Sequence, residues 1–138
     1  MIHPWRILRG REHLTLRFVD MGLEQNATID TAGVVQIAND LDYAERRCAL
    51  MHELVHDERG VPHKHDPAEE LAVEREAARR LISVDDLIDV ARWALSTEEA
   101  AYELGVTEDM LLCRLSSMTH PVERAKWRAF VEEMATDR

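Results

Sequence analysis

Asp42-Tyr43-Ala44-Glu45-Arg46-Arg47-Cys48-Ala49-Leu50-Met51-His52-Glu53-Leu54-Val55-His56 is the stretch on which the architecture turns. Asp42 suits an N-cap, and Glu45 three residues on can reach back to its backbone N–H, the reciprocal arrangement of a capping box. Ala44, Cys48, Met51 and Val55 recur at helical spacing and make an apolar stripe. Gly60 and Pro62 then stop the helix, because glycine tolerates the terminating conformation and proline cannot continue the ladder.

Upstream the periodicity is two. Leu14-Thr15-Leu16-Arg17-Phe18 alternates apolar and polar residues as a half-buried strand does. Ala27-Thr28-Ile29-Asp30 and Val34-Val35-Gln36-Ile37 are two further short strands, and Thr31-Ala32-Gly33 between them supplies a turn, so the pair reads as a hairpin. Residues 1–40 are expected to form a small antiparallel sheet.

Downstream the pattern is helical throughout. Val61 to His65 reads as a loop. Asp66 caps the next helix, with Pro67 in its first turn and Glu69 closing a second capping box; it runs to about Ile82. Ser83-Val84-Asp85-Asp86 starts a helix reaching about Leu95, Thr97-Glu98-Glu99 one ending near Gly105, Thr107-Glu108-Asp109 one through Met118, and Pro121 the last. With no repeat, low-complexity tract or linker, the expectation is one α+β domain over 1–138. The sheet takes 1–40, a helix pair 42–82, and a helical part 84–138.

The 138 residues suffice for a real core, and 46% hydrophobic with 32% charged residues mark a folded, soluble chain. A formal charge of −10 argues against a general phosphate-binding surface, since nucleic-acid affinity rests on Lys and Arg neutralising phosphates. Two distant cysteines, Cys48 and Cys113, are no disulfide framework and fit a reducing compartment. The segment from Met1 to Arg6 lacks the apolar run of a signal peptide, and no stretch is long enough to span a membrane. The expected location is the cytoplasm.

His52 and His56 stand one helical turn apart on one face, so both imidazoles can reach one ion. Glu53 beside them can reach a water polarised by that ion and take its proton, the role of a general base. A His-Glu-x-x-His helix is the signature of zinc-dependent peptide hydrolysis; the bland alternative is two surface histidines in a chain with seven. Catalytic zinc needs a third ligand and an open position. The following helix offers Glu69, Glu70, Glu74 and Glu76, of which Glu70 and Glu74 share a face. In zinc peptidases an acidic ligand is often followed four residues on by a residue that holds a ligand histidine from outside. This assigns Glu70 to the metal and Glu74 to the histidine, with the reverse left open. Cys48 is set aside as core, because three ligands from Cys48 to His56 would spread over about 12 Å of helix.

His63, His65 and Tyr43 are candidate oxyanion stabilisers, each more simply read as an ordinary loop or helix-start residue. The segment from Ala100 to Leu111 has the form of a helix-turn-helix. Its second helix opens on Thr107-Glu108-Asp109, which repels phosphate, so it is read as a helical bundle under the catalytic unit. Trp5, Trp93 and Trp127 are read as core anchors.

The run from Ala44 to His56, followed by Glu58-Arg59-Gly60 and Ala77-Ala78-Arg79-Arg80-Leu81-Ile82, resembles the ImmA/IrrE family of metallo-endopeptidases, in particular its short actinobacterial and phage members. The resemblance covers about residues 3 to 120 and is strongest from 44 to 82. It implies a zincin-like fold and a zinc-dependent cytoplasmic protease that cuts a helix-turn-helix repressor of a phage, mobile element or stress regulon. Aligned on Leu81-Ile82, the family's ligand Glu falls on Glu70 and its Asn or Asp on Glu74, a longer residue. Ser83 stands where the family commonly has proline. Two rivals are carried: a docking module that acts on the repressor without cutting it, and a DNA-binding regulator using residues 100–115.

Overall fold

The computed structural model describes residues 1–22, 25–60 and 66–136. A helix absent from the sequence reading opens it: α1 (Pro4–Arg9), with proline at its first position. Three strands follow, β1 (Thr15–Val19), β2 (Ala27–Ile29) and β3 (Val34–Ala38). The hairpin is as expected: β2 and β3 are antiparallel, with Thr28 opposite Gln36. The antiparallel expectation for the whole sheet is corrected, because β1 runs parallel to β3, with Thr15 opposite Val34. The order is β1-β3-β2, so β2 lies in the chain between the two parallel strands and pairs on the far side of β3.

The turn explains the register. Asp30 Oδ1 accepts from the N–H groups of Ala32 and Val34, both at 2.9 Å. Gly33 takes φ 85°, and a Cβ there would stand 2.3 Å from the His13 carbonyl oxygen. That closeness lets Thr15 N–H donate to Gly33 O at 2.8 Å and start the parallel pairing. Only glycine meets both demands.

The decisive stretch is helix α2 (Tyr43–Arg59), and its capping box between Asp42 and Glu45 is present in both halves. It carries two apolar stripes. Leu50 and Leu54 pack with Ile29, Val35 and Ile37 beneath the sheet. Cys48, Met51 and Val55 pack with Val73, Ala77 and Leu81 of α3 (Pro67–Leu81) and with the later helices. Asp66 caps α3 through Ala68 N–H. The expected partner Glu69 is engaged elsewhere, pairing with Arg59 at 2.6 Å, so no second capping box is closed.

Three short helices and a longer one complete the described chain: α4 (Val84–Ala91) capped by Ser83, α5 (Thr97–Leu104) capped by Ser96, α6 (Glu108–Ser116) capped by Thr107, and α7 (Pro121–Thr136). Gly105, at φ 68°, turns α5 into α6. Trp127 packs on the helical core and Trp5 on the sheet core, but Trp93 is half exposed and no core anchor. No helix among the described residues is long and apolar enough to cross a membrane.

Candidate metal centre

Two faces of α2 are covered by the two cores, and the stripe between them carries His52 and His56. α3 packs against it and brings Glu70 and Glu74 opposite the two rings. One donor atom from each of His52, His56 and Glu70 lies within 4.8 Å of the others, the one such group found among the described residues. Nε2 of His52 stands 2.9 Å from Glu70 Oε2, and Nε2 of His56 stands 2.8 Å from Glu70 Oε1. In a tetrahedral zinc site donor atoms sit about 3.3 Å apart, close to the two histidine–carboxylate separations, and no pair in the set exceeds 4.8 Å. Two imidazole nitrogens and one carboxylate are also the donor chemistry that zinc takes.

Glu74 occupies a different place. Its Oε2 is 2.6 Å from Nδ1 of His52, on the far side of the ring from Glu70. A carboxylate there accepts a hydrogen bond from Nδ1–H, which keeps the proton on Nδ1 and leaves the Nε2 lone pair turned toward the shared point. Burial works against the charged form of His52, yet the hydrogen bond and charge of Glu74, with Glu53 and Glu70 behind it, hold its pKa above the ordinary histidine range. The same field favours any cation at that point.

The open side of the cluster faces a cavity of about 700 Å³. Glu53, 4% exposed, lines it beside the two histidines. Cys48 lines it too, but burial pushes its thiol pKa up, which disfavours the thiolate a metal needs. Asn26, Ala27 and Thr28 of the β2 region form one wall, and Thr107 and Asp109 form another at the start of α6. The helix-turn-helix segment packs into the core beneath α2 and α3 as expected, and its start, with Thr107 and Asp109, also walls the cleft. Tyr43 is exposed, with its ring beside Arg47 and Gly105, and does not line the cavity. His63 and His65 lie outside the described residues.

The hairpin directly before the histidine helix leads the sequence reading to expect one of its strands as an exposed edge beside the site, with Val34 to Ile37 favoured over Ala27 to Asp30; that preference is corrected. β3 is the central strand, with Val35 and Ile37 fully buried, and its hairpin partner β2 is the edge that reaches the cavity. A sequence pattern identifies the hairpin but not which of its strands a parallel third strand will cover. Thr107 and Asp109 were likewise missed as cavity residues, because the approach of α6 to α2 leaves no trace in local periodicity.

Comparison with models of protein families finds no match, and neither curated proteins nor solved structures match the chain. The α+β fold and a cluster able to hold a metal ion thus define its class on their own terms.

Proposed function

We propose that this chain is a zinc-dependent endopeptidase whose substrate is a helix-turn-helix repressor acting in the same cytoplasm. The observation that carries the catalytic reading is the convergence of His52 Nε2, His56 Nε2 and a Glu70 oxygen at the rim of a large cavity that Glu53 also lines. The repressor as substrate rests on the family resemblance of residues 44–82.

When bound, zinc supplies a Lewis acid that polarises a substrate carbonyl and brings the pKa of a water toward neutrality. The protein's own groups do the rest. His52 and His56 would hold the ion through Nε2, and Glu74 fixes the His52 ring and tautomer through Nδ1. Glu70 contributes the third donor and one negative charge. Glu53 takes the proton of the attacking water and passes it to the leaving amine. The edge of β2 offers main-chain groups to an extended substrate backbone.

Glu53→Gln tests this directly. The variant should hold zinc and bind the partner as the parent does, while cleavage falls by about two to four orders of magnitude. Undiminished cleavage refutes Glu53 as base. An unchanged biological effect with no cleavage, in parent and variant alike, favours the docking module. Against DNA reading stands the acidic start of α6, which opens on the cavity.

A further inference from the structure

A second cavity, of about 260 Å³, lies on the other side of α3 from the metal cluster. Arg59 of α2, Arg75 and Arg79 of α3 and Arg114 of α6 line it, with Thr119 and His120 at the start of α7. Two carboxylates face it as well, Glu76 and Glu123. Four guanidinium groups against these two carboxylates and Glu69, which pairs with Arg59, leave an excess of one positive charge, in a chain whose formal charge is −10.

Not all of that charge is spent internally. Arg59 pairs with Glu69 and Arg79 with Glu76. Arg75 has no ion pair or hydrogen bond among the described residues. Arg114 is 2% exposed, a cation built into the wall. Its Nε donates to the Ile82 carbonyl at 2.8 Å and its Nη2 to Glu123. Its Nη1 makes no hydrogen bond among the described residues, and the residue lines the cavity. The start of α7 adds to this, because the first N–H groups after Pro121 have no acceptor within the helix and carry its positive dipole end.

We propose that this cavity binds a phosphate-type oxyanion, either free phosphate or the phosphoryl group of a small phosphomonoester. Donor-bearing residues line it on several sides: Arg75, Arg114, Thr119 and the start of α7. That arrangement suits a tetrahedral dianion better than a planar carboxylate. The excess positive charge and the dipole of α7 favour an anion. The bound group ties together α2, α3, α6 and α7, and so braces from behind the two helices that carry His52, His56, Glu70 and Glu74. The binding itself does not rest on the peptidase reading.

The test follows backbone amide shifts of the full chain by nitrogen-15 NMR during titration with sodium phosphate, with chloride at matched ionic strength as reference. Saturable shifts confined to residues near Arg75, Thr119 and Val122 are expected. Shifts centred on His52 and His56, or none that saturate, overturn the proposal. Arg75→Glu should weaken binding by about tenfold or more. Arg128→Glu makes the same change of charge at an exposed site on α7 outside the cavity lining, and should alter binding by less than about twofold. Equal weakening by both variants assigns the effect to overall charge and overturns the site. Tighter binding of glycerol 3-phosphate than of phosphate assigns the remaining volume to an organic body; equal or weaker binding assigns the site to the free ion.

Discussion

At the scale of single residues, the two acids on α3 are separated by what each touches. Glu70 faces Nε2 of both histidines, whereas Glu74 faces only Nδ1 of His52. Glu70→Ala should therefore lose most of the zinc, and Glu74→Ala should weaken binding about 10- to 100-fold, both read by metal analysis and chelator competition. A site emptied by Glu74→Ala and left full by Glu70→Ala reverses the two roles. Sequence spacing placed His52, Glu53, His56, Glu70 and Glu74 within reach of one another, but the choice between the two acids needs the α2–α3 approach, which is tertiary. A second residue offers a pH test. Hydrogen bonding to Arg79, against the opposing effect of burial, and further bonding to Arg80 lower the Glu76 carboxyl pKa to about 2. A carboxylate lowered on folding contributes stability that is present above its unfolded value near 4.5 and is lost as pH falls toward 2. The stability gap between the parent and Glu76→Gln should thus be constant near neutrality and shrink between about pH 4.5 and 2, as measured by urea unfolding. A gap independent of pH removes the ion pairs as its cause.

At the scale of elements, the caps were legible because they are local. Asp42, Asp66, Ser83 and Thr107 each begin a helix as their side chains dictate. Arg47 was not legible, since a charged residue on a helix ordinarily reads as surface. It is fully buried and makes no ion pair among the described residues. Instead it donates to three carbonyls: Leu104 and Gly105 at 3.1 and 2.6 Å, and Ile2 at 2.8 Å. One guanidinium thereby joins α2 to the α5–α6 turn and to the segment before α1. Gly105 is bound into the same contact, because a Cβ there would lie 2.9 Å from Arg47 Nη1 and its φ of 68° is left-handed. Arg47→Met leaves these carbonyls without their donor and should cost about 2–4 kcal/mol, since bonds to a buried charged group are worth more than neutral ones. Gly105→Ala should cost about 1–2 kcal/mol by backbone strain and crowding. The two effects should be less than additive in the double variant, because both act on one contact. Full additivity in chemical unfolding would separate Gly105 from the clamp.

At the scale of the whole molecule, the cleft is an assembly of parts far apart in sequence: the β2 edge, the histidine face of α2, the acidic face of α3 and the start of α6. Composition and periodicity specified each part; the parallel β1–β3 pairing decided which strand is left free to meet a substrate. Asn26 O accepts from Ala38 N–H, and Asp30 N–H donates to Val34 O. In an antiparallel ladder the bonded pairs alternate, so with Thr28 opposite Gln36 the inward groups belong to Asn26, Thr28 and Asp30. The backbone groups of Ala27 and Ile29 then point away from β3, and Ala27 lies in the cavity wall. If a peptide is held there as an added strand, Ala27→Pro removes one outward donor and leaves the β2–β3 ladder whole. Cleavage should fall about tenfold or more, chiefly through a raised KM, while the unfolding midpoint changes little. Proline at Gln36 is no substitute for this test, because β3 is bonded on both sides and the sheet itself would suffer. Unaltered kinetics in a stably folded Ala27→Pro variant would move the substrate off the sheet edge and onto the wall formed by α6.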